Sequence, residues 1–211
     1  MPQFLDHFAH WTPRYAFDRA RLFAYSALHP DAPWLAPGAA RQLDAWLEPH
    51  HSCFEWGAGR STIWFSRRVA QLTSIEHDAR WYERVQQMRG ASRLNNVDVR
   101  LVPVSDRYES EYIDAIRGFD DGSLDLVLVD GVSSLRDRCA LAAIPKVRAG
   151  GLLVIDDIHR YLPSASRAPL ALRPDATPLT REWAAAIDQL RTWEQTRHSS
   201  GVTDTGIWMR R

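Results

Sequence analysis

Hydrophobic and polar positions along the chain follow two rhythms, one of strands and one of helices. Residues 124–129 form a near-continuous apolar run, the pattern of a strand buried on both faces. Residues 53–55, 72–76 and 152–155 are shorter apolar segments of the same kind. Val97, Val99 and Leu101 alternate with polar neighbours in a strand that continues to Val104. Between these segments the period lengthens. Residues 61–70 predict a first crossover helix, and Trp81, Val85 and Met88 recur at helical spacing across 79–89. A further helix spans 134–147, is bent or ended near Pro145, and is stopped by Gly150-Gly151. Strands that alternate with helices predict an α/β fold, a doubly wound and mostly parallel sheet with right-handed crossovers.

The ends of the chain read differently. Thr12-Pro13 pairs an N-cap with proline at the first helical position, and places Ala16, Phe17, Ala20, Phe23 and Ala27 on one face. A proline-rich break over 29–37 precedes a second helix over 38–47, marked by Leu43, Trp46 and Leu47. Residues 160–180 contain Pro163, Pro169, Pro174 and Pro178, and read as a long ordered loop or a mobile lid. Thr180 caps a helix with Trp183, Ile187 and Leu190 inward. Residues 206–209 read as a final strand at or near an edge, in the antiparallel sense. The expected organisation is one domain: a helical cap over 1–50, a ligand-binding core over 51–160, and a loop, helix and edge strand over 161–211.

Composition narrows the classes of partner. Among 211 residues, 26 basic side chains balance 26 acidic ones, so no global charge favours nucleic acid or an anionic membrane. Cys53 and Cys139 each sit in an apolar context and read as buried thiols. Residues 1–10 carry Asp6 and two histidines, and no segment is a signal peptide or a membrane span, so a cytoplasmic location is expected. The tryptophan content and the edge strand near Trp208 favour a homodimer. Trp34 and Trp56 flank the predicted site, whereas Trp81 and Trp183 lie on helices and default to packing.

In such a sheet the ligand crevice lies beyond the C-terminal ends of the strands. The first strand ends in Glu55-Trp56-Gly57-Ala58-Gly59-Arg60-Ser61-Thr62, an acid and two close glycines before a helix. This turn lets a backbone pass under a nucleoside-bearing ligand and aims helix N–H groups at it. The second strand closes on Glu76-His77-Asp78, about where a ribose-binding carboxylate belongs, roughly 20 residues on. The third ends in Ser105-Asp106, the fourth in Asp130-Gly131, and the fifth in Asp156-Asp157 with His159-Arg160 just after. Apolar strands that all end in polar or acidic groups suit a binding crevice better than a structural sheet.

These residues resemble the class I S-adenosylmethionine-dependent methyltransferases, over roughly residues 33–160. The resemblance implies a Rossmann-like sheet of seven strands or slightly fewer. It implies that Glu76 binds the ribose hydroxyls, a carboxylate accepting two hydrogen bonds from a diol. It implies that Glu55, Gly57, Ala58 and Gly59 line the methionine and ribose portions, and that Ser105 and Asp106 lie near the adenine. Ser61 stands where the third glycine of the pattern is usual. Thr62, His77 and Asp130 complete the candidate cofactor set, although His77 also suits the start of the next helix. A nicotinamide dinucleotide would want glycine at Thr62.

A closer resemblance is to the metal-assisted O-methyltransferases, which place one aspartate after the fourth strand and an acidic pair after the fifth. It implies that Asp130, Asp156 and Asp157 hold magnesium, which would acidify a substrate hydroxyl. Asp130 and His159 are then the candidate catalytic residues, His159 as general base. The segment 132–136 departs from the substrate-side pattern of that group. The expected activity is methyl transfer to a small-molecule acceptor, on oxygen before nitrogen. The alternatives are a hydroxylase-like or aminopropyl-transferring relative, and a non-catalytic binding module.

Overall fold

The computed structural model describes residues 12–105 and 109–211. Asp106, expected near an adenine, lies outside the described residues, as do residues 1–10. One seven-stranded sheet organises the chain, in the order β3-β2-β1-β4-β5-β7-β6. Its strands are β1 (Ser52–Trp56), β2 (Gln71–Glu76), β3 (Val97–Leu101), β4 (Leu124–Val129), β5 (Val147–Ile155), β6 (Glu194–Ser199) and β7 (Asp204–Met209). β1 through β5 pair in parallel, and β7 runs antiparallel to both β5 and β6. This is the Rossmann-like architecture of the class I type. The order reverses between β1 and β4, so a crevice opens where those two strands end.

The crossovers follow the helical rhythm. They are α3 (Arg60–Ser66), α4 (Ala79–Ala91), α5 (Glu109–Asp114) and α6 (Arg136–Ala143), after α1 (Pro13–Leu28) and α2 (Pro37–Trp46), and before α7 (Arg181–Leu190). Thr12 and Thr180 cap α1 and α7 by accepting the N–H groups of Tyr15 and Trp183, each at 3.1 Å. The core is two apolar layers on either face of the sheet. Phe54, Trp56, Val127, Val129, Leu153 and Ile155 face α6 and α7, while Cys53, Leu126, Leu128, Leu152 and Val154 face α2 and α3.

Three expectations are corrected. Ala16, Phe17, Ala20, Phe23 and Ala27 face outward, with Phe17 59% and Phe23 75% exposed, and α1 instead buries Tyr15 and Asp18. Gly150-Gly151 lies inside β5, where the register with β4 shifts between Leu124 and Leu126, so the preceding helix ends at Ala143. The third strand ends at Leu101. The strand that carries Trp208 is antiparallel and near the edge as expected: β7 lies next to the edge strand β6, which the pattern did not show. Among the described residues, no helix is long and apolar enough to cross a membrane.

Candidate active site

β1 delivers the chain to the glycine turn at the switch point. Gly57 has φ +95°, and a Cβ there would come within 2.7 Å of the Asp130 carbonyl. Glycine alone lets the turn pass so close to the end of β4. The turn is held from below by Glu55, which is wholly buried. Its Oε1 accepts from the Thr62 and Ser74 hydroxyls, and Thr62 Oγ1 in turn accepts the Gly59 N–H at 2.8 Å. Burial pushes the Glu55 carboxyl up to about 7, against the hydrogen bonds that favour its charged form. Glu55 and Thr62 therefore brace the turn from beneath. Neither is among the residues lining the cleft above it.

That cleft has a volume of about 240 Å³. Gly57, Ala58, Gly59 and Ser61 form its floor, Glu76 and His77 one wall, and Asp130 the other. Glu76 is 2% exposed and already engaged. Its Oε1 accepts the N–H groups of His77 and Asp78, both at 2.8 Å, and meets His77 Nδ1 at 2.9 Å. Among the described residues its Oε2 accepts only the Ala58 N–H, at 3.1 Å, which leaves acceptor capacity toward the cleft. The bond to Glu76 also raises the His77 imidazole above its ordinary range, against burial. Ser105 is exposed beyond β3 and does not line the cleft.

Trp81 and Trp34 close the cleft, stacked at 6.1 Å and 28°. Trp81 donates from Nε1 to the Ala58 carbonyl and packs over Gly59. Trp34 is 60% exposed and carries the Arg60 guanidinium over its ring. Trp81 looks like core packing in sequence, because its helical spacing with Val85 and Met88 masks its place one turn from Asp78. Trp56, the other tryptophan expected to flank the site, is buried and donates to the Tyr112 carbonyl at 2.8 Å.

The expected metal centre is corrected. Arg136 stands where a cation would be needed. Its Nη2 meets Asp130 Oδ1 at 2.8 Å, its Nη1 meets the Asp156 carbonyl at 2.8 Å, and Asp157 Oδ2 lies 3.9 Å from Nη1. Asp156 is turned away toward Thr205, whose hydroxyl donates to it at 2.6 Å. Asp157, at φ 53°, accepts from Thr203 at 2.8 Å. Each carboxylate already has its own partner, and among the described residues no cluster of three or more His, Cys, Asp or Glu is arranged to hold a metal ion. Magnesium does not fit this set. Burial raises Asp130 to about 7, with Arg136 opposing, and burial raises Asp156 well above the carboxylate range.

His159 is also corrected as a catalytic base. It is 1% exposed, its Nδ1 accepts the Asp204 N–H at 3.2 Å, and its carbonyl accepts the Leu172 N–H at 2.9 Å. It pins the proline-rich loop to β7 and lines no part of the cleft. Burial lowers its imidazole below the usual value. Both cysteines are buried free thiols.

A seven-stranded sheet of this order, with a glycine turn and a carboxylate facing one crevice, defines a domain of the class I methyltransferase type. Residues 54–158 match the model of a family described as a methyltransferase domain. The family match and the fold together support a class I S-adenosylmethionine-dependent methyltransferase. Among solved structures, a protein of Corynebacterium glutamicum is similar at 17% identity and a TM-score of 0.59, over 99% of this chain and 97% of that one. A methyltransferase-like protein from Silicibacter pomeroyi is similar at 22% identity and a TM-score of 0.56, over 85% and 89%. An rRNA methylase from Streptococcus thermophilus shares the fold at 8% identity and a TM-score of 0.55, over 80% and 91%. A comparison with curated proteins gave no match.

Proposed function

We propose that this methyltransferase acts on a hydroxyl oxygen of a small-molecule acceptor, with Asp130 receiving the proton. The observation behind this reading is that the glycine turn, Glu76 and Asp130 line one cleft. S-adenosylmethionine supplies, when bound, a methyl group on a sulfonium. Glu76 would receive the ribose hydroxyls on Oε2, and the main chain of 57–59 would pass beneath the ligand. The Trp34–Trp81 pair would exclude water on one side.

Asp130 suits proton transfer because its carboxyl sits near 7, close to working pH. When the acceptor oxygen takes the methyl group and the carbon–sulfur electron pair stays with sulfur, the hydroxyl proton would pass to Asp130. Arg136 holds the Asp130 carboxylate in place from outside the cleft. No metal enters this scheme.

Calorimetry with S-adenosylhomocysteine tests the cofactor half, with measurable heat expected at micromolar ligand. Mass spectrometry of the product then reads a single added methyl group. Asp130→Asn should lower turnover by about 10²–10⁴ and leave S-adenosylhomocysteine affinity within a few-fold. An unchanged turnover would remove Asp130 from its role.

A further inference from the structure

A second cavity, of about 390 Å³, lies between α1, the first turn of α2 and the turn joining β6 to β7. Arg14, Arg21, Arg41 and Arg167 line it with His198, and Asp18 is the one carboxylate among its lining residues. Asp18 is shared by Arg14 at 3.8 Å and Arg167 at 3.9 Å. Arg21 and Arg41 have no ion pair among the described residues. α2 begins at this wall with no acidic residue in its first turn, so nothing there offsets the arginines. The His198 imidazole is held below its usual range by burial and by Arg41, so its charge is not needed for the excess of positive groups. Four guanidiniums around one carboxylate leave a strong local bias in a chain whose formal net charge is zero.

The position of this cavity links it to the cleft. β7 is antiparallel to β5, with Ile155 opposite Gly206, so the β6–β7 turn lies at the end of the sheet where the cleft opens. A slot of about 120 Å³ lies beside both spaces and shares wall residues with each. Leu22 and Tyr25 are walls of both the slot and the arginine cavity, and Trp34 is a wall of both the slot and the cleft. Thr203 lines the slot and donates to Asp157, which fixes the turn against the end of β5.

We infer that the arginine cavity is the acceptor subsite, and that the acceptor is a small molecule carrying a phosphate or carboxylate group. This rests on reading the cleft as the S-adenosylmethionine site. The anionic end is held by Arg21 and Arg41, undergoes no covalent change, and directs the hydroxyl end along the slot toward Asp130. A half-open cavity of this size, in a chain of balanced charge, suits a compact anion rather than a polynucleotide.

The test is calorimetric titration of the full chain with pyrophosphate and with citrate, each with and without S-adenosylhomocysteine. The expected result is millimolar or tighter binding of at least one anion, weakened at least tenfold in R21Q/R41Q. S-adenosylhomocysteine affinity and melting temperature should hold, and R21K/R41K should restore part of the anion affinity. Anion binding equal in wild type and R21Q/R41Q, or no anion binding while S-adenosylhomocysteine binds, overturns the subsite and leaves the cofactor reading intact. Anion binding without S-adenosylhomocysteine binding removes the cofactor reading, and the acceptor role with it. A short single-stranded RNA that binds more tightly than either anion, and loses that binding in R21Q/R41Q, overturns the small-molecule class.

Discussion

Arg136 Nη2 lies 2.8 Å from Asp130 Oδ1, and the same guanidinium reaches the main-chain carbonyls of Asp130, Gly131 and Asp156. One side chain, 7% exposed, thereby joins the ends of β4 and β5. Arg136→Met leaves the half-buried Asp130 without its counter-charge and removes one donor from each of three carbonyls. Urea unfolding should show a loss of about 3–5 kcal/mol. A loss below about 1 kcal/mol, the value of an exposed pair, would mean that the guanidinium is solvated rather than structural.

The same contact bears on metal dependence. Because Arg136 neutralises the acidic strand ends, methyl transfer should proceed equally in excess EDTA and in millimolar magnesium. A tenfold loss in chelator, restored by magnesium, would contradict this role of Arg136.

Glu55 makes the fold sensitive to pH. Its folded-state value, about 7, lies above the ordinary carboxylate value of 4.5. The native state therefore binds more protons than the unfolded chain between those values, and stability falls as pH rises through that window. Asp130, also raised to about 7, contributes in the same direction. Stability measured by urea from pH 4.5 to 8 should decline, and Glu55→Gln should flatten the part due to Glu55. An equal slope in wild type and variant would show that Glu55 is ionised throughout.

Gly57→Ala tests the turn itself. A left-handed φ and a Cβ only 2.7 Å from the Asp130 carbonyl should cost about 1–3 kcal/mol of stability, and S-adenosylhomocysteine affinity should fall with it. Gly90→Ala is the matched control. Nothing lies within 4 Å of its added Cβ on α4, so thermal melting should show a neutral to slightly stabilising change.

Trp81→Ala opens the cleft and removes the stacking partner of Trp34. S-adenosylhomocysteine affinity should fall about tenfold, near 1.4 kcal/mol. Trp81→Phe should recover part of that loss, because a ring can still cover Gly59. Calorimetry reads both variants, and no change in either would detach Trp81 from the site.

The parallel core was legible because burial on both faces leaves an unmistakable trace, as in Leu124–Val129. β6 left none, since among the described residues Glu194–Ser199 pairs on one side only and keeps polar residues on both faces. α1 misled because Phe17 and Phe23 carry the apolar signal outward while Tyr15 and Asp18 carry the contact. At the site, the glycine turn, Glu76 and Asp130 stand out because each closes an apolar strand. Arg136 does not, because six residues of sequence separate it from Asp130. Only the 3-10 turn Ser133–Leu135 folds it back. A charge at the start of a helix looks solvated until that turn is known, and this is why three carboxylates looked like a metal centre.

β6 has a final consequence. An unpaired strand margin is an invitation to other chains, which could add to it through main-chain hydrogen bonds. Here the outermost strand is built from Glu194, Gln195, Thr196, Arg197, His198 and Ser199. Charged and amide side chains along that margin discourage stacking of one molecule on the next, and so guard the apolar layers behind it against fibril growth.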